Sequence, residues 1–331
     1  MADIYKDTKA VKLLADYSNG KKNVEGLNEL DSLIKDLAQN PNPQNKYMLA
    51  QLIGFTVNEL MKPATNWLDV AADTKRVGLG EKAVFRAPFG RIEAVIQAKN
   101  ATTRRTRIDS KSFSVDTVEV SARPVVNLAA LQGGLVNMGE LVNAAKTEIS
   151  NKVNAYVENV LLKSAKTLAT PYYATGAGII KNTFDPIVRH WMRYGGAVII
   201  GDIAAISKLT EQTGFTSATN TQYADGLLLE HNNNGYIGKY LGADVICLVN
   251  PYNADGMNTA MTEGNIYVLP KATTADMRSL KVVLEGDVQS LESTNIDDKS
   301  YEIRLDQYIG AGLVSGESPL ISVYNDSSIN G

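Results

Sequence analysis

Cysteine and histidine are nearly missing from this chain. Its 331 residues hold one cysteine, Cys247, and two histidines, His190 and His231. One thiol excludes an internal disulfide, and with two imidazoles it leaves no residue set for a zinc site of the Cys/His kind. The fold therefore rests on packing. Long apolar runs are missing as well. The N-terminal stretch MADIYKDTKAVKLLADY has no apolar core of signal-peptide length, and no later stretch reaches the roughly 18 uninterrupted apolar residues of a membrane span. The prediction is a protein made and kept in a cytoplasm, with no membrane partner. A basic excess is also lacking: 33 Lys and Arg against 36 Asp and Glu give a formal net charge of −3, so any contact with nucleic acid must be local.

The motifs of nucleotide chemistry fail when tested position by position. The stretch EHNNNGYIGKYLGADVICLVNP, residues 230–251, carries Gly235, Gly238 and Gly242 with Lys239 beside them. A phosphate loop needs a glycine five residues before its Gly-Lys pair and a hydroxyl after it. Here those places hold Asn233 and Tyr240. A dinucleotide loop is absent too, since IIGDIAAI at 199–206 has one glycine; Asp202 is better placed to cap the helix that follows. The three glycines read as turn positions ahead of a strand. No Gly-x-Ser-x-Gly elbow is present, and Cys247 lies in an apolar strand pattern, as a small inert core residue does. His190 on a helix flank and His231 in a polar loop have no partner motif. These residues yield no catalytic, cofactor or metal site.

What is present is an ordinary globular composition, 44% apolar and 21% charged, in a length that suits about two domains. Residues 1–62 read as short helices, AVKLLADY, LNELDSLIKDLAQ and NKYMLAQLIGFTVNELM, with NPNPQN as turn punctuation. They predict an arm or small helical layer without a deep core of its own. From about Asp69 to Val120, two strand-like segments flank a basic tip, which predicts an extended hairpin. An isolated ribbon is marginal in water, so this hairpin needs a partner surface. Between Met138 and Leu168, apolar residues recur at Leu141, Ala145, Ile149, Val153, Tyr156 and Val160 with no proline, predicting a helix about 45 Å long. A compact α/β stretch follows, with GAVIIGD and ADVICLVNP as buried strands, and the tail returns to β character.

One charge cluster stands out. Lys99, Arg104, Arg105 and Arg107 gather near the hairpin tip among Asn100 and three threonines. A solvated loop would look the same; the unburied hairpin favours a tip that docks on carboxylates of a neighbouring subunit.

This order of elements resembles the major capsid proteins of tailed bacteriophages with the HK97 fold. The pieces that carry the resemblance are GGAVIIGDIAAISKL (195–209), GYIGKYLGADVICLVNPY (235–252), and GDVQSLESTN through EIRLDQYIGAGLV (286–314). It covers nearly all of the chain after residue 62. The resemblance implies an α+β fold with an N-terminal helical arm at 1–62 and an E-loop hairpin at 63–122. The P domain with its spine helix would occupy 123–178, the α/β A domain 179–270, and strands returning to the P domain 271–331. It further implies self-assembly into hexamers and pentamers of an icosahedral head enclosing double-stranded DNA held by non-specific contact. Assembly would take place in the host bacterial cytoplasm. The E-loop tip would contact a neighbour, and the arm would reach across subunits. The chain still begins at Met1, so a separate scaffolding protein or an unprocessed arm is expected, together with a portal. No motif selects a covalent crosslink between Lys99 or Asn100 and a partner. Two other readings stay open on the residues: an encapsulin-type nanocompartment shell with the same architecture, and an α/β enzyme using His190 or His231 as base.

Overall fold

The computed structural model describes residues 8–19, 27–39, 42–64, 66–89, 109–133, 136–211, 234–253, 256–271, 278–295, 297–313 and 321–329. Helices α1 Thr8–Ser18, α2 Leu27–Gln39, α3 Pro43–Ala64 and α4 Asn66–Ala71 come first. Asn42 caps α3, its Oδ1 accepting from Asn45 N–H at 2.7 Å, and Pro43 takes the first helical position, where its missing N–H costs nothing. Leu49, Leu52, Ile53, Val57 and Leu60 of α3 are all buried, each contributing about 1.5–3 kcal/mol of apolar burial. Gly54 lets this helix approach the sheet closely: a Cβ there would stand 3.0 Å from Ser290 Cβ.

The first sheet holds β1 Ala72–Val77, β11 Leu280–Asn295, β12 Ser300–Leu313 and β4 Val118–Ala122, in that order, with β5 Val125–Asn127 also on β12. β1 runs parallel to β11, while β11, β12, β4 and β5 pair antiparallel. A bulge between Glu285 and Gln289 bends β11, with Gly286 at φ +66. Strands β2 Val84–Phe89 and β3 Asp109–Ser114 form a separate two-stranded sheet, the described part of the expected hairpin.

After the short α5 Leu128–Gln132, the long helix is α6 Met138–Ala165, 28 residues capped by Asn137. Its buried stripe is Met138, Val142, Ala145, Ile149, Val153, Val157, Leu161 and Ala165. That stripe corrects the sequence reading by one residue at Leu141, Tyr156 and Val160, which sit on its flank. The buried face follows a mostly four-residue step, which the choice of Leu141 and Tyr156 as anchors misplaced.

The second sheet follows the order β6 Tyr173–Gly176, β13 Ser322–Asp326, β10 Asn265–Pro270, β7 Ala197–Asp202, β9 Ala243–Leu248 and β8 Lys239–Tyr240. Helices α7 Lys181–Met192 and α8 Ile203–Ile206, continued by a 3-10 turn Ser207–Glu211, accompany it. Alternation along its strands divides the core. Ile199 of β7 with Ile266 and Val268 of β10 join Phe184, Ile187, Val188 and Trp191 of α7. Val198 and Ile200 with Tyr267 and Leu269 join the core that contains α6, α3 and the first sheet. All six residues of β7 are therefore buried, as GAVIIGD predicts.

The N-terminal helices form a layer with no core of their own: Leu14, Leu30, Ile34 and the α3 residues share one core with α6 and β11. Two expected strand memberships change. Within the expected hairpin 63–122, β1 and β4 belong to the first sheet. β6 and β13, expected in the segments 123–178 and 271–331, join the second sheet. Strand pairing between distant segments decides these memberships, and local patterning carries no record of it.

Candidate functional site

The described residues present three structured surfaces, each built from a different part of the fold. The first is the root of the hairpin. Phe85 of β2 is fully buried and stacks on Phe113 of β3 at 5.8 Å, with Ala83 and Val283 beside it. Lys75 Nζ lies 4.9 Å and Lys281 Nζ 5.7 Å from the Phe85 ring centre, so the ring face receives two ammonium groups. Lys281 is buried and donates to Asp73 Oδ2 at 2.8 Å; the two are register partners across β1 and β11. Glu285 accepts from the Thr117 hydroxyl at 2.5 Å and from Gly80 N–H at 2.8 Å. The Thr117 hydroxyl, then the Gly80 amide, hold this carboxyl below the usual range. The root is thus pinned to the first sheet, while among the described residues β2 and β3 pair only with each other and Val84 is 54% exposed.

The second surface is the junction between α6 and the second sheet. Glu158 is 4% exposed in the middle of the long helix. Its carboxylate accepts from Tyr267 Oη at 2.5 Å, Asn265 Nδ2 at 2.9 Å and Thr262 N–H at 3.0 Å. Burial, and next the Glu158 charge, push the Tyr267 phenol well above its ordinary value. One turn earlier, Asn154 Oδ1 accepts from Trp67 Nε1 at 3.0 Å, tying α4 to the same helix. These bonds tie α4 and the second sheet to α6.

The third surface is the loop after β9. Asn250 bonds both the N–H and the carbonyl of Met261, at 2.9 and 3.0 Å, and Tyr252 bridges to Thr259. Gly256 turns the chain at φ +65. The loop holds Val249, Tyr252 and Met257 outward at 83%, 61% and 84% exposure. Apolar side chains held on a fixed backbone suit contact with another protein.

The residues singled out in the sequence fall as follows. Lys99, Arg104, Arg105 and Arg107, with Asn100, lie outside the described residues, as does His231. Asp202 caps α8, accepting from Ala204 N–H at 2.7 Å. Gly235 and Gly242 have φ of +77 and +85, so both are turn glycines. His190 packs against Tyr172, Trp191 and Tyr194, and its Nε2 is buried without a hydrogen-bond partner. Burial, then the Arg193 charge, lower its pKa. Cys247 is half-buried; burial, then the Asp202 charge, raise its thiol pKa and disfavour the nucleophilic thiolate. Among the described residues no three His, Cys, Asp or Glu side chains gather as a metal site. Glu158 and Lys281 were missed in the sequence. Their only signal was a charge within an apolar pattern, NVLLKSA preceded by VE in one case and LKVVLE in the other.

Two larger sheets, a 28-residue helix, a ribbon of two strands and an outward apolar loop define a mixed α+β protein. Solved structures with this fold include the capsid of a native GTA particle computed with C5 symmetry. It aligns at a TM-score of 0.53 and 12% identity over 78% of this chain and 89% of that one. A chain of Microbacterium phage Oxtober96 aligns at 0.52 and 11% identity, over 77% and 89%. A chain of Mycobacterium phage Cain aligns at 0.51 and 13%, over 76% and 88%. No match was found among curated proteins. The family model described as "SPbeta prophage-derived putative capsid protein YonB" matches residues 2–323. The chain belongs to this family: it is a structural capsid protein of phage type.

Proposed function

We propose that this chain is an HK97-type major capsid protein that closes into an icosahedral head of hexamers and pentamers around double-stranded DNA. The observation that carries this reading is the hairpin root. A ribbon anchored firmly at its base, whose strands pair only with each other among the described residues, is suited to a stabilising partner on another subunit. In this arrangement β2 and β3 form the E-loop, α6 and the first sheet the P domain, and the second sheet the A domain, whose outward loop meets its counterparts around a capsomer axis. Lys99, Arg104, Arg105 and Arg107 reach carboxylates of an adjacent subunit. The DNA contact is non-specific, in keeping with a net charge of −3. Assembly occurs in the host bacterial cytoplasm with a separate scaffolding protein and a portal.

Negative-stain electron microscopy of the purified chain, alone and after co-expression with its neighbouring genes, tests the proposal. Shells, capsomers or curved sheets are expected, with nuclease-protected DNA in native particles. A uniformly small species under both conditions would overturn it.

A further inference from the structure

A groove of about 730 Å³ runs between the N-terminal half of α6, α4 and the end of β9. Two buried polar side chains line it with nothing to bond. Ser150 and Asn151 are 5% and 2% exposed, and Ser150 Oγ and Asn151 Nδ2 have no hydrogen-bond partner. Nearby Thr147 bonds back to the Asn143 carbonyl at 2.8 Å, the usual outlet for a hydroxyl on a helix, but Ser150 does not. Unmade bonds of this kind in a buried setting are costly, so they point to a missing acceptor.

The facing wall is an open strand edge. β9 pairs with β7 along one side, whereas β8 covers the other only at Ala243 and Asp244. Val245 N–H points to that second side, donating to Gly238 O at 2.8 Å. Alternation turns the N–H groups of Cys247 and Val249 the same way, where no strand meets them among the described residues. Val70 and Val249 flank this edge at 39% and 83% exposure. Lys146 also lines the groove, and it forms no ion pair among the described residues. An edge with free donors, apolar flanks and one cation suits an added strand that brings carbonyls, apolar side chains and a carboxylate.

The chain contains a segment of that chemistry. In RIEAVIQA, residues 91–98, Ile92, Ala94, Ile96 and Ala98 alternate with Glu93, Val95 and Gln97. The segment follows β2 in the sequence, and β2 and β3 pair only with each other among the described residues. We propose that residues 92–98 of a second copy of this chain add as a strand to the free edge of β9, with Glu93 against Lys146. The inference rests on the capsid reading above and specifies where the hairpin docks.

Cys247 is the chain's single thiol and lines the groove, so it serves as the reporter. Ala94→Cys, Val95→Cys and Ile96→Cys are each placed in the full chain, assembled under reducing conditions, oxidised with diamide and run on non-reducing gels. Covalent dimers and higher ladders are expected from at least one position, and Cys247→Ser abolishes them. Lys146→Glu lowers the yield about fivefold, and adding Glu93→Lys restores it. Particles that form without any crosslink, or a crosslinked product confined to monomer mass, overturn the docking while leaving the capsid reading intact. If the chain forms no particles under any condition, the capsid reading falls, and the same gels on the soluble chain still decide the docking.

Discussion

Replacing Glu158 by alanine tests the junction that holds α6 to the second sheet. The substitution leaves three donors without their acceptor: Thr262 N–H, Asn265 Nδ2 and Tyr267 Oη. Thr262 is exposed, so its N–H turns to water. Asn265 and Tyr267 are 2% and 3% exposed and cannot. Each orphaned buried donor costs about 1–3 kcal/mol, so Glu158→Ala is expected to destabilise by roughly 3–5 kcal/mol once the lost volume is included. Glu158→Gln keeps the volume and one accepting oxygen but turns an amide N–H2 toward a donor, for a loss of about 1–2 kcal/mol. Urea unfolding of the soluble chain, followed by tryptophan fluorescence, measures both. A cycle with Tyr267→Phe isolates their coupling, expected above about 1 kcal/mol for groups in direct contact. A loss below about 1 kcal/mol for Glu158→Ala, or equal losses for alanine and glutamine, would refute the assignment of this carboxylate as the tie between the two bodies.

Three further outcomes follow from the same geometry. Lys281→Ala strands Asp73 as a buried charge and is expected to cost about 3–5 kcal/mol in the same assay, whereas Lys281→Met with Asp73→Leu recovers most of the loss; an equally unstable double variant would count against the ion pair as the cause. Tyr240, Tyr267 and Tyr301 all have phenol pKa values raised chiefly by burial. In the unfolded chain these groups ionise near ~10, so their contribution is intact below that pH. It is lost as pH rises through the folded values, at about 1.4 kcal/mol per pH unit for each tyrosine still protonated when folded. Unfolding midpoints that stay flat from pH 9 to well above ~10 would contradict this. Gly310→Ala places a Cβ 2.6 Å from the Asp116 carbonyl oxygen, a contact that the backbone must yield to. A loss of roughly 1–3 kcal/mol is expected, and an unchanged midpoint would show that the β3 to β4 connection shifts freely.

Local elements were legible because their causes are local. The spacing LNELDSLIKDLAQ maps onto α2 residue for residue and Asp202 caps α8, whereas α3 starts at Pro43, inside the NPNPQN stretch that reads as turn punctuation and two residues before the helix expected from Asn45. The buried runs AVIIGD and ADVICL became neighbouring parallel strands, and the long helix began at the residue expected. At Leu141, Tyr156 and Val160 the choice of face slipped by one position, since a helix covered on several sides by α3, the first sheet and β10 shows only weak amphipathic contrast.

By itself, the sequence determined the α+β class, the beam-like helix, the hairpin and the resemblance to phage capsid proteins that the family match bears out. Only the tertiary structure decided which strands share a sheet: β1 beside β11, and β6 and β13 in the second sheet rather than the first. It also decided that the N-terminal helices belong to the main core, that Glu158 joins two bodies, and that the edge of β9 stands open beside Ser150 and Asn151. Helical periodicity and capping depend on residues within a turn of one another. Pairing, buried charge and open edges depend on segments brought together from across the chain, and no local pattern encodes that meeting.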